Sequence, residues 1–286
     1  SGVLHPDVSV ITGIGISHLE KLKTKEAICR AKLEILDGMP QDGTLYCPSA
    51  EPLLCHMTPV TPRTFSAYDS GADYHMENLH SSGFGMRFDL ATPNGIFSDL
   101  YVPILSEALM PIVSCAAAVA LAEGVTEDQL RHGFARYKPL PMRQNILSLG
   151  EVLLLVDCYN ACPASMKAAG ETALHLQEMT GGRVFALLGD MTELGRATET
   201  GHKEIGAYMA HFCQRVYCVG DNAPLYAAEV KSEVSSKFRL FRADVDREEI
   251  AREIVAELQP SDILLIKGSR VCHLETFIPY FRKMLL

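Results

Sequence analysis

Short apolar runs punctuate the second half of the chain at residues 152–156, 184–188, 216–219 and 263–266. Between them lie segments with helical spacing, at 163–179, 200–211 and 246–258. Pro163 suits a first helical turn, where its missing N–H costs nothing, and Gly181-Gly182 suits the stop. Strands with no polar face, alternating with helices, predict a parallel sheet covered on both sides. The first half is mixed. A short strand at 8–11 precedes a helix over 24–36 with Thr24 as N-cap, and β-prone pieces follow near 44–47, 86–90 and 99–102. The Ala-rich stretch 112–122 is the most apolar. It falls short of the roughly 18 to 20 residues a membrane helix needs, so it reads as a buried core helix. Another helix starts at Thr126, where Thr-Glu-Asp-Gln supplies a cap. Lys138-Pro-Leu-Pro-Met reads as a linker.

A length of 286 residues accommodates two domains, each with its own core. The net charge of −9 argues against a nucleic-acid partner, which demands a basic face, but not against a small anionic ligand. No membrane segment or secretory signal pattern is found, so a cytoplasmic protein is expected. The nine cysteines include no CxxC pair, and Cys47, Cys55 and His56 lack a complementary second ligand pair. Buried thiols in a reducing compartment are expected rather than a zinc site or a disulfide framework.

The candidate chemistry follows the strands. Asp157-Cys-Tyr159-Asn160, Gly189-Asp190-Met-Thr-Glu193-Leu-Gly195, Gly220-Asp221-Asn222 and Lys267-Gly268-Ser269-Arg270 each sit just past an apolar run. In open parallel sheets the ligand crevice lies beyond the carboxyl ends of the strands. Loop composition by itself accounts for Gly, Asp, Asn and Ser. It does not account for Lys267 with Arg270, or Asp190 with Glu193. In the first half, Thr12-Gly13-Ile-Gly15-Ile-Ser-His18 lacks the third glycine of a dinucleotide fingerprint, which argues against a nicotinamide-dependent enzyme. Taken alone, His18 and Lys32 read as surface or capping residues.

Together these motifs resemble the Mur ligase family, and within it the branch that adds D-alanyl-D-alanine. The resemblance rests on DCYNACPASM (157–166), LLGDMTELG (187–195) with His202 beyond it, IKGSR (266–270) with Glu275, and ITGIGISHLE (11–20) followed by TKEAICRAKLEI (24–35). It implies an ATP- and Mg2+-dependent cytoplasmic ligase, a monomer, that joins D-alanyl-D-alanine to UDP-N-acetylmuramoyl-tripeptide. The implied fold is an α/β chain holding part of a central ATPase domain (1–141) and a Rossmann-like C-terminal domain (142–286). By the same carry-over His18 ligates Mg2+, and Lys32 is carbamylated into a second metal ligand. Arg143, Asp157, Tyr159 and Asn160 contact ATP, Arg143 with a catalytic role alongside Lys32 and His18. Asp190, Glu193, Lys267, Ser269 and Arg270 hold the incoming dipeptide.

The chain also departs from the family pattern. No G-x-x-x-x-G-K-[ST] loop occurs, so the chain is read as N-terminally truncated and inactive by itself. Gly13 replaces an Asn, Ser106, Ala108 and Ile112 replace a G-x-H-x-x-x-N motif, and Met142-Arg143-Gln144-Asn145 keeps only the Arg of G-R-x-E. Cys162 replaces the second Asn of YNANP. A pseudo-ligase that keeps the fold as a binding or regulatory partner is therefore the alternative expectation.

Overall fold

The computed structural model describes residues 5–15 and 24–286. His18 and Glu20 lie outside the described residues. The chain divides into two compact units, Ser1–Lys138 and Pro139–Leu286.

The first unit opens with β1 (Val8–Val10) and α1 (Lys25–Leu33), which a 3-10 turn extends through Glu34–Leu36. Thr24 caps α1, its Oγ1 accepting from the Ala27 N–H at 3.1 Å. Then come β2 (Thr44–Pro48), α2 (Pro52–Met57) and β3 (Arg63–Phe65), and β1, β2 and β3 form a parallel sheet in that order. A second, antiparallel sheet is a meander of β4 (His75–Ser82), β5 (Gly85–Thr92) and β6 (Gly95–Val102). The Ala-rich segment forms α3 (Met110–Ala122). Met110, Val113 and Ala117 pack into the core of the antiparallel sheet, while Cys115 and Ala118 pack with Tyr46 and Phe65 of the parallel one. A helix buried on more than one side has no need of a polar face, which explains why this stretch lacks one. α4 (Glu127–Ala135) starts in a capping box, with Thr126 and Gln129 satisfying each other's backbone N–H groups.

The second unit is a six-stranded sheet in the order β11-β10-β9-β12-β8-β7. Its members are β7 (Asn145–Leu149), β8 (Val152–Asp157), β9 (Val184–Gly189), β10 (Arg215–Val219), β11 (Phe238–Phe241) and β12 (Ile263–Lys267). All pairs are parallel except β7 with β8. α5 (Pro163–Thr180) and α6 (Thr198–Phe212) lie against β9, β10 and β12. The short α7 (Ala223–Ala227) and α8 (Ser232–Ser235) follow β10, and α9 (Arg247–Glu257) and α10 (Ile278–Leu285) complete the chain. Ile250 and Ile254 of α9 and Phe281 of α10 share one core with Leu154, Phe185, Tyr217 and Leu264 of the strands. Both faces of the sheet are thus covered, as the apolar runs predict.

The edge strands β7 and β11 have no counterpart in the sequence reading. Each exposes part of its length, so neither shows a continuous apolar run. Among the described residues no helix is long and apolar enough to cross a membrane. The nine cysteines are free thiols, and six of them are buried.

Candidate functional site

Four strand ends of the second unit line up on one edge of the sheet, because β8, β9, β10 and β12 run parallel in matched register. Asp157 and Lys267 are the last residues of neighbouring strands and are register partners. Lys267 Nζ lies 2.7 Å from Asp157 Oδ2, 3.2 Å from the Asp157 carbonyl and 3.0 Å from the Asn160 carbonyl. From the other side Gln144 donates to the same carboxylate, through its N–H at 3.3 Å and its Nε2 at 3.4 Å. The loop then enters α5 with Cys162 as N-cap and Pro163 in the first turn. Cys158 is wholly buried beneath the loop, and burial pushes its thiol up to about 12, which makes it a packing group.

The β9 loop is fastened in the same manner. Asp190 is buried and accepts from the Asp221 and Asn222 N–H groups, both at 3.1 Å. Burial raises its carboxyl above the ordinary aspartate range, against the pull of those amides and of His202. Gly220 has φ +144, and a Cβ there would overlap the Asp190 carboxylate. The Ser269 N–H donates to the Asp190 carbonyl at 2.9 Å, and Ser269 Oγ accepts from the Thr192 N–H at 3.0 Å. His202, fully buried on α6, accepts from the Met191 N–H at Nε2, and its Nδ1 faces the Thr198 carbonyl. That pairing assigns its proton to Nδ1.

Of the residues expected in the site, Asp157, Asp190, Lys267 and Ser269 therefore bond to their own chain, and three of them are buried. Arg143, Tyr159, Asn160, Glu193 and Arg270 are exposed along the same edge. Arg143 stacks on Tyr159, and Arg270 pairs with Glu275 at 2.5 Å and touches Met142 Sδ at 3.0 Å. The sequence reading missed Gln144 as a partner of the site, and it placed Glu275 beside the IKGSR motif without giving it a role. Gln144 occupies the unspecified position of a motif that had lost its glycine and its glutamate.

Lys32 lies in the other unit, where its exposed Nζ donates to the Gly13 carbonyl at 2.5 Å. Among the described residues no group of three or more His, Cys, Asp or Glu is placed to hold a metal ion.

Comparison with known proteins matches residues 1–120 to the Mur ligase middle domain and residues 142–270 to the Mur ligase glutamate ligase domain. The UDP-N-acetylmuramoyl-tripeptide–D-alanyl-D-alanine ligase of Bacillus subtilis is 31% identical over 280 residues, which is 97% of this chain and 60% of that protein. The crystal structure of MurF from Acinetobacter baumannii superposes with a TM-score of 0.84 at 25% identity, covering 99% of this chain and 61% of that one. The Thermotoga maritima MurF ligase in complex with ADP shares the fold, with a TM-score of 0.83 at 24% identity over 99% of this chain and 63% of that one. The chain thus spans about three fifths of the length of these relatives.

Proposed function

The chain belongs to the Mur ligase family, and on that premise we propose that it supplies the nucleotide-facing and acceptor-facing parts of an amide ligase of peptidoglycan synthesis. In this reading ATP phosphorylates the terminal carboxylate of UDP-N-acetylmuramoyl-tripeptide. The amine of D-alanyl-D-alanine then attacks the acyl phosphate, forming the amide and releasing phosphate. Such catalysis is largely positioning plus neutralisation of developing charge, and prearranged cations and dipoles serve it well.

The observation that carries the proposal is the convergence of the family's motifs on one carboxyl edge, with Arg143, Tyr159, Asn160, Glu193 and Arg270 exposed there above a locked layer. Arg143, Tyr159 and Asn160 face the nucleotide, and Asp157 shapes their loop. The ADP complex of the Thermotoga maritima relative supports an adenine nucleotide as ligand. Glu193 and Arg270 present opposite charges to the zwitterionic dipeptide. Glu275 holds one arm of Arg270 and leaves other N–H groups for a carboxylate. Mg2+ is the implied metal in this reading, and His18 and Lys32 of the first unit would be its ligands. The Lys32 amine is exposed and so within reach of CO2. Carbamylation would exchange its cation for an anionic oxygen.

Calorimetric titration of the chain with D-alanyl-D-alanine tests the acceptor half. Saturable binding that Arg270→Ala removes is expected. A folded chain that shows no saturable heat would sink the acceptor assignment.

A second reading has its own observation. Ala108, in the 3-10 turn before α3, and Ile112, in the first turn of α3, are exposed where the family motif carries hydrogen-bonding residues. Losing such partners favours a pseudo-ligase that keeps the fold as a binding or regulatory partner.

A further inference from the structure

We infer that Lys267 is a positioning residue for the loop after β8, acting on the nucleotide side of the proposed site rather than on the acceptor. Its motif groups it with Ser269 and Arg270, but its geometry does not. A lysine ammonium has three N–H donors and no acceptor. All three are taken, by the Asp157 carboxylate at 2.7 Å, the Asp157 carbonyl at 3.2 Å and the Asn160 carbonyl at 3.0 Å. The side chain is 1% exposed, so it keeps no donor and no surface for a ligand.

The consequences of removing that ammonium are asymmetric. The Asp157 carboxylate would keep only the long contacts from Gln144, and two backbone carbonyls would lose a donor. Acceptors that lose a donor are costly unless they reach water, so the loop must turn them outward and carry Tyr159 and Asn160 with it. The segment after Lys267 has its own fastenings. Ser269 bonds to Asp190 and Thr192, and Arg270 to Glu275. Loss of Lys267 should therefore loosen residues 158–161 and spare residues 268–274. A lysine that merely stabilised the fold would loosen both together.

The functional meaning of this role rests on the ligase reading, but the loop can be read directly, so the two fail separately. Amide hydrogen exchange is compared in the wild-type chain, Lys267→Met and the uncharged pair Asp157→Asn/Lys267→Met. Methionine keeps the buried volume, and the pair removes the stranded carboxylate should the single variant not fold. Amides at 158–161 are expected to exchange about tenfold faster or more in either variant, with 268–274 nearly unchanged. Unchanged exchange at 158–161, or equal acceleration at 268–274, overturns the inference. Saturation-transfer NMR with ADP then reads the nucleotide side. Contact at the Tyr159 ring should weaken in Lys267→Met while the response to D-alanyl-D-alanine persists. Loss of the dipeptide response alone would return Lys267 to the acceptor and overturn the assignment.

Discussion

The guanidinium of Arg143 lies over the ring of Tyr159, 4.0 Å from its centroid. Met142 and Gln144 on either side of Arg143 hold left-handed conformations, with φ of 61 and 54. Such conformations cost a non-glycine residue on the order of 1–3 kcal/mol and persist where surrounding bonds hold them. Here the Met142 carbonyl accepts from the Tyr159 N–H at 3.2 Å, and Gln144 bonds to Asp157. Arg143 is thereby fixed by backbone on the outer surface of the edge.

Because the stack is exposed, it should matter more to binding than to stability. Tyr159→Ala is expected to shift the urea-unfolding free energy by no more than about 1 kcal/mol, the range of an exposed cation–π contact. The same variant should lose the response to ADP. A stability loss above about 2 kcal/mol would mean that Tyr159 is a core residue.

Gly220 and Asp190 form a second pair with a sharper signature. Gly220→Ala adds a Cβ at φ +144 directly against the Asp190 carboxylate. A loss of about 2–4 kcal/mol is expected from strain and overlap together. In an Asp190→Ala background the overlap disappears, so the double variant should lose clearly less than the sum of the single losses. Additive losses in chemical denaturation would contradict the contact.

Acid should destabilise the second unit through two carboxylates at the opposite edge of the sheet. Burial opposes ionisation of Asp262, but the Arg183 side chain and the Arg183 and Gln259 amides outweigh it and hold its carboxyl below the usual range. At Glu257 burial is likewise outweighed, by Arg215 and Tyr217. A folded-state value below the unfolded one gives stability that is complete above the unfolded value, near pH 4, and lost as pH falls through the folded one. Asp190, raised by burial, works in the opposite sense. Its ionisation costs stability at neutral pH, and that cost is relieved as pH falls through its folded value. Asp262→Asn is expected to cost about 2 kcal/mol at pH 7 and to flatten the acid limb. Urea midpoints measured from neutral pH down through this range check both signs, and an unchanged acid limb would exclude Asp262 as its source.

The choice between ligase and pseudo-ligase can be put to the start of α3. Ala108→His with Ile112→Asn restores the family's polar residues at two exposed positions, so little stability should be lost. If that helix end faces nucleotide, ADP affinity should rise about fivefold or more, the value of a net hydrogen bond. Unchanged affinity by calorimetry would place these substitutions away from the nucleotide and remove the argument they lend to the pseudo-ligase.

Much of the fold was legible along the chain because its signals are local. Thr24 and Thr126 cap helices with their own side chains, and Pro163 and Gly181 bound α5, all through contacts a few residues away. The apolar runs of β8, β9, β10 and β12 identify central strands because both faces of each are covered. β7 and β11 escaped because an edge strand keeps a solvent side and loses the continuous run.

By itself the sequence determined which loops carry polar chemistry and, through its motifs, which family they resemble. It did not determine which of those side chains meet a ligand. Lys267 and Arg270 stand three residues apart in one motif, yet one is sealed against Asp157 and the other is exposed beside Glu275. Asp157 is 110 residues from Lys267 along the chain, and only the register of β8 against β12 brings them opposite each other. Composition and spacing encode local preference. Burial of a charge is decided by whether a distant strand arrives with the matching group, and that is a property of the assembled sheet.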